Sequence, residues 1–244
     1  MKLSNKIKYL YLITILLLIP NYSFAMHIAE GFISPAWSGL YFLLILPFVY
    51  LGVKSIKTKT TLSKDMKLFI AVAGAYCFVL SALKLPSVTG SSSHPTGVGF
   101  GAILFGPFVM TVVSIIVLLF QALFLAHGGL TTLGANTFSM GVVGPIVAYA
   151  TYKLFGKNKV GIFLASALGN LSTYVATAIQ LALAHPSETG GVLASMTKFM
   201  SIFAVTQIPL AIAEGILTVL VFNIIEKYSK EEMKALKGEV SYEK

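Results

Sequence analysis

The sequence predicts an all-α polytopic membrane protein of about seven transmembrane helices, with its N-terminus outside and its C-terminus in the cytoplasm. Three observations predict it. Apolar residues make up 56% of the 244-residue chain and charged residues 11%, with a mean hydropathy of +0.84, more apolar surface than a soluble domain of this length can hide. The apolar residues fall in blocks of roughly 20, enough to cross the ~30 Å hydrocarbon layer as helices, and no recurring period-two pattern suggests a barrel. The lysines gather in a few segments between the blocks, and cytoplasmic loops collect Lys.

Residues 1–25 read as a cleaved signal peptide. Lys2, Lys6 and Lys8 precede an apolar run from Tyr9 to Pro20, and Ser23-Phe24-Ala25 supplies the small-x-small cleavage pattern. Cleavage after Ala25 leaves residues 26–244 as one membrane-embedded domain that begins Met26-His27. Removing the three leader lysines lowers the formal net charge from +9 to +6. That excess sits in loops, so nucleic acid is not the expected partner; membrane lipid is.

Lys54, Lys57, Lys59, Lys64 and Lys67 form one basic segment, Lys157 and Lys159 a second, and Lys227, Lys230, Lys234 and Lys237 the tail. All three are expected in the cytoplasm. Spans are expected over Pro35–Val53, Lys67–Leu85, Asn136–Phe155, Val160–Ala184 and Phe203–Ile225. The stretch Val98–Ala126 must then cross twice, one crossing short and interrupted near Gly106-Pro107, or two of the basic segments would be exported. At about 1.5 Å per residue, one of its two helices falls well short of a full span.

The segments left outside hold every histidine, one apiece: His27, His94, His127 and His185. A loop histidine is ordinarily a solvated or hydrogen-bonded group, but His27 is placed differently. After cleavage, the Met26 amine, the Met26-His27 peptide nitrogen and the His27 imidazole can close adjacent chelate rings on one ion. Three such nitrogens suit Ni(II), Cu(II) and, less comfortably, Co(II), whereas Mg(II) and Ca(II) prefer oxygen. His94 is the leading candidate for a further ligand, because its loop is rich in Gly and Ser and Pro95 restricts its backbone to extended conformations. The single cysteine, Cys77, lies inside an apolar block. It offers neither a disulfide framework nor a thiolate cluster.

The same residues resemble a family. Met26-His27-Ile28-Ala29-Glu30-Gly31-Phe32, Ser34-Pro35-Ala36-Trp37, Ser91 through Gly97, Leu104-Phe105-Gly106-Pro107, Phe120-Gln121-Ala122-Leu123 and the run from His127 to Gly141 are similar to the cobalt-type substrate-binding S components, CbiM, of cobalt and nickel energy-coupling-factor transporters. The resemblance covers essentially the whole mature chain. It implies a subunit that captures Co(II) or Ni(II) from outside for ATP-driven uptake across the inner membrane, feeding cobalamin biosynthesis. Metal would be held by Met26, His27 and His94. The ion is cargo, and no organic cofactor is expected. Implied partners are a T component, two ATPase subunits and a small accessory membrane subunit. No G-x-x-x-x-G-K-[ST] motif is present, so ATP hydrolysis belongs to another chain. The sequence also lacks G-x-S-x-G and H-E-x-x-H, and no enzyme is expected. The alternative is an ATP-independent permease, channel or metal sensor.

Other residues carry lesser expectations. His127 either touches metal or orients the Gly-rich loop it opens. Thr131, Thr132 and Asn136 are candidates to support His94 or the N-terminal segment. His185 reads as a surface residue, and Glu30 as a helix-start acid or a counter-charge. Glu214 falls within a span, where a carboxylate needs partners, and reads as a structural pairing or a site near a coupling partner. Gly161, Ala165 and Gly169, with Gly144 and Ala148, form small-residue ridges for close helix packing or partner docking.

Overall fold

The computed structural model describes residues 24–25, 27–61, 65–86 and 91–237. Met26 and most of the leader lie outside the described residues. The helices are α1 (Pro35–Thr60), α2 (Met66–Ala82), α3 (Val98–Phe105), α4 (Pro107–Leu125), α5 (Leu133–Phe155), α6 (Lys159–Ala184), α7 (Gly191–Tyr228) and α8 (Lys230–Lys237). Five of them, α1, α4, α5, α6 and α7, are long and apolar enough to cross a membrane, and α2 is a shorter apolar helix. A small sheet, which the all-α expectation did not include, joins β1 (Phe24–Ala25), β2 (Leu85–Pro86) and β3 (Ser91–Ser93) in the order β1-β3-β2. β1 runs parallel to β3, and β2 antiparallel.

The break at Gly106-Pro107 is where the sequence put it. Gly106 closes α3 at φ 84°, a left-handed conformation that Gly adopts at little cost. Pro107 then opens α4, where a missing N–H costs nothing. All eight residues of α3 are buried, so this short helix is a core element sheathed by longer ones.

Two helices depart from the expected limits. α7 starts at Gly191, twelve residues before Phe203, and its 38 residues span about 57 Å at ~1.5 Å per residue. Its first turns carry Ser195, Thr197, Lys198 and Ser201, a composition that hydropathy reads as loop although nothing in it stops a helix. α1 likewise continues past Val53 to Thr60, so Lys54, Lys57 and Lys59 sit on a helix end instead of a loop.

α5 holds a π-helical segment, Phe138–Val143. Pro145 has no N–H to give the Gly141 carbonyl four residues earlier. The Thr111 hydroxyl of α4 donates to that carbonyl instead, at 2.8 Å. The small-residue ridges face each other inside the protein: a Cβ built on Gly169 would meet the Ala148 Cβ at 2.8 Å and the Gly144 carbonyl at 3.1 Å. The ridges therefore serve α5–α6 packing and are not an open docking face.

Candidate metal centre

His27, His94 and His127 come from three separate segments, yet one ligand atom from each lies within 4.8 Å of the others. Their ring centroids are 4.7 Å (His27–His94), 4.5 Å (His27–His127) and 4.9 Å (His94–His127) apart. All three are buried, at 2%, 0% and 0% exposure.

Each histidine is delivered by a local device. His127 follows α4, which ends at Ala126 in a left-handed conformation, and Gly128 at φ 80° turns the chain so closely that a Cβ there would lie 3.4 Å from the His27 Cβ. The His27 backbone is held through its neighbour. Ile28 N–H donates to Asn136 Oδ1 at 2.8 Å, and the Ile28 carbonyl accepts from Thr132 Oγ1 at 2.7 Å and Asn136 Nδ2 at 3.0 Å. Farther along, Glu30 accepts from Thr131 N–H at 3.2 Å, Gly31 N–H donates to Thr131 Oγ1, and His185 Nε2 pairs with the Phe32 carbonyl at 2.7 Å. Of the two roles left open for Asn136, Thr131 and Thr132, the structure shows clamping of the N-terminal segment. Glu30 lies outside the histidine cluster, its carboxyl held below the usual carboxylate range chiefly by the Thr131 hydroxyl.

His94 sits in a non-helical stretch that dips into the bundle, so its backbone must be satisfied by protein. Tyr174 Oη accepts from His94 N–H at 3.2 Å and donates to the His94 carbonyl at 2.9 Å, and Gln207 Nε2 also reaches that carbonyl. Two residues on, Glu214 accepts from Thr96 N–H at 2.6 Å and Gly97 N–H at 2.9 Å, and from Asn170 Nδ2. Asn170 Oδ1 in turn accepts from Gln207 Nε2. Of the structural pairing or coupling-partner site read for Glu214, the structure shows the pairing: it anchors the His94 loop.

The ring nitrogens are treated differently. His94 Nδ1 bonds the Pro95 carbonyl at 2.8 Å, which assigns the proton to Nδ1 and leaves a lone pair on Nε2. His94 Nε2, His27 Nε2 and both nitrogens of His127 are buried without a hydrogen-bond partner. An unsatisfied buried polar group costs ~1–3 kcal/mol, so four in one place call for a ligand. Burial pushes His27 well below the ordinary imidazole range, helped by the nearby His94. It also pushes His94 down, to about 4, against the opposing Pro95 hydrogen bond. His127 falls farther, from burial first and then from the two neighbouring rings. Three neutral imidazoles facing one another are the protonation state a transition metal requires.

Sequence reasoning did not single out Gln121, which interacts with the His27 ring and donates to Ser81. It also passed over Tyr174, Asn170 and Gln207. Their signal was available: each is a polar or hydroxyl-bearing side chain inside an apolar helix, where it needs a purpose.

Comparison with known proteins agrees with this chemistry. Residues 27–232 match the family described as "CbiM: Cobalt uptake substrate-specific transmembrane region". A protein of Clostridium tetani named "Cobalt transport protein CbiM" is 53% identical over 97% of this chain and 99% of its own length. One of the same name from Chlorobium limicola is 60% identical over 85% of this chain and 83% of its own. Among solved structures, one described as an "transition metal transporter" superposes with a TM-score of 0.71 at 25% identity, covering 84% of this chain and 94% of that one. A truncated transition metal transporter gives the same TM-score at 24% identity over 83% of this chain, a likeness of fold. With matches of this length and identity, this integral membrane chain belongs to the CbiM family.

Proposed function

We propose that this protein captures Co(II), or Ni(II), from outside the cell as the substrate-specific subunit of an ATP-driven uptake system. The observation that carries the reading is the buried cluster of His27, His94 and His127, in which one ligand atom from each ring lies within 4.8 Å of the others and each ring has an unpartnered nitrogen. The names of the relatives point to cobalt; the nitrogen donor set itself suits both metals.

In the mature protein the ligands are the Met26 amine, the Met26-His27 peptide nitrogen, the His27 imidazole and His94, with His127 closing the site from the opposite loop. Cleavage after Ala25 creates the amine and removes β1, leaving β2 and β3 beside His94. The helices α1, α2, α5, α6 and α7, with the α3–α4 hairpin counted as two, give seven crossings. The histidine end is then outside, and the basic ends and C-terminus lie in the cytoplasm of the inner membrane. A T component, two ATPase subunits and a small accessory membrane subunit supply the energy, and the metal feeds cobalamin synthesis.

Extending the mature chain by one residue ahead of Met26 replaces the amine with a peptide nitrogen in the wrong place. Titration of the purified protein with Co(II) and Ni(II) should then show loss of high-affinity binding, with insertion and elution on size exclusion unchanged. Unchanged affinity would contradict the chelate. Uptake that persists without the ATPase subunits would contradict the energised role.

A further inference from the structure

We propose that the end of the bundle farthest from the histidines holds a binding pocket for a phosphate-bearing anion. The histidine cluster sits where α3 and α5 begin and α4 ends, beside the middle of α7. The pocket lies at the other ends of α1, α3, α5 and α7 and at the start of α6, a cavity of about 560 Å³.

Four lysines line it, Lys59 on α1, Lys153 on α5, Lys157 in the turn and Lys159 opening α6, against a single acid, Glu226. The lining therefore carries a formal +3. Lys153 rests over the Tyr149 ring, 5.3 Å from its centroid. Lysines that only mark a cytoplasmic surface have no reason to converge from three elements on one cavity, because like charges brought together repel.

The cavity is two-natured. Tyr149 and Asn158 join the lysines on its polar side, while Leu104, Phe222 and Met233 line the apolar side. α8 closes one wall with Met233 and Leu236. α6 begins there, so its positive dipole end adds to the field. Compact ammonium groups bind phosphate as point charges, and basic pockets between transmembrane helices hold anionic lipid headgroups. An anion with a phosphate and a short apolar shoulder fits both sides of the cavity. The pocket does not depend on the metal reading; only the choice of lipid as the source depends on this end meeting the cytoplasmic leaflet.

The test uses the full mature chain, purified and reconstituted in nanodiscs of phosphatidylcholine with or without phosphatidylglycerol, with retained lipid counted by native mass spectrometry and inorganic phosphate titrated separately by thermal shift. Retained phosphatidylglycerol, weakened roughly 5-fold for each Lys→Gln change at Lys59, Lys153, Lys157 or Lys159, is the expected result, from ~1 kcal/mol per basic residue. The exposed Lys54, Lys57, Lys67 and Lys230, changed together to Gln, should leave retention intact. Stabilisation by inorganic phosphate without lipid retention, abolished by the same pocket changes, would also support the site and name free phosphate as its source. Should one pocket variant fail to fold, the other three single changes give the same comparison. No retention and no phosphate effect, or equal loss from the control lysines, would overturn the proposal.

Discussion

Two buried polar clusters lie on either side of the His94 loop, and they differ in one respect. Around Glu214, both carboxylate oxygens receive hydrogen bonds, from Thr96, Gly97, Asn170 and Ser166. Around His27, His94 and His127, four ring nitrogens receive none. Both clusters are buried, and burial alone does not separate them. A satisfied cluster holds the chain in place, whereas an unsatisfied one of neutral imidazoles is poised for an ion the chain itself does not supply. Glu214 and its partners thus position the His94 loop, and on the proposed reading the histidines receive the metal.

The sharpest way to break this contrast is to delete one member of each cluster. His94→Ala should weaken Co(II) binding by more than the ~100-fold that marks the upper range for an outer supporting residue, while leaving the metal-free protein as stable as before. Glu214→Leu should do the reverse in kind. It strands the Thr96 and Gly97 N–H groups at ~1–3 kcal/mol each, so thermal unfolding without metal should shift down, and metal affinity should fall only because the loop is loosened. If His94→Ala destabilised the apo protein as much as Glu214→Leu, the distinction between the clusters would be lost.

A smaller effect is expected one layer out. Asn136→Ala removes two hydrogen bonds to Ile28 and should cost about 10- to 100-fold in metal affinity, read by the same titration. Affinity within about 2-fold of the parent would show that the N-terminal segment is held by other contacts.

pH sharpens the comparison. The folded-state pKa of His94 is depressed to about 4, below the reference of ~6.5 for an unfolded imidazole, with His27 and His127 depressed as well. A depressed histidine favours the fold while it is neutral. That contribution is complete above about pH 6.5 and is lost as pH falls towards 4. Thermal stability of the apo protein should therefore be level above about pH 6.5 and decline below it, and His127→Ala should flatten the decline. Metal binding should weaken from pH 8 to 6 through the Met26 amine, whose reference pKa is ~7.7–8.0, and through the Met26-His27 peptide nitrogen, which must also release its proton to coordinate, since the imidazoles are already neutral there. The smallest expected effect is that of His185→Ala. It breaks the contact to the Phe32 carbonyl and the packing against the Phe32 ring and should shift affinity by about 2-fold, the scale of an ordinary surface change.

Much of this was legible in the chain. The apolar blocks located the helices, and Gly106-Pro107 marked the hairpin, because glycine and proline act through local backbone geometry. His27 and His94 were readable because chelate spacing and an X-Pro restriction are also local. The place of His127 beside the other two was not legible, since a histidine opening a glycine-rich loop looks the same whether its nitrogens face water or two other rings; the approach of three distant segments is what brings the rings together. The clamp of Asn136 on Ile28 spans 108 residues and leaves no periodic trace. The early start of α7 was missed because hydropathy reports the solvent around a helix, and the first turns of α7 carry polar side chains while remaining helical.

The most direct test of the central claim is X-ray absorption at the cobalt edge on the mature protein loaded with one equivalent of Co(II). The account predicts a nitrogen first shell with outer-shell scattering from more than one imidazole, and a loss of part of that imidazole signal in His94→Ala. A first shell of oxygen with no imidazole scattering would place the metal elsewhere and contradict the account.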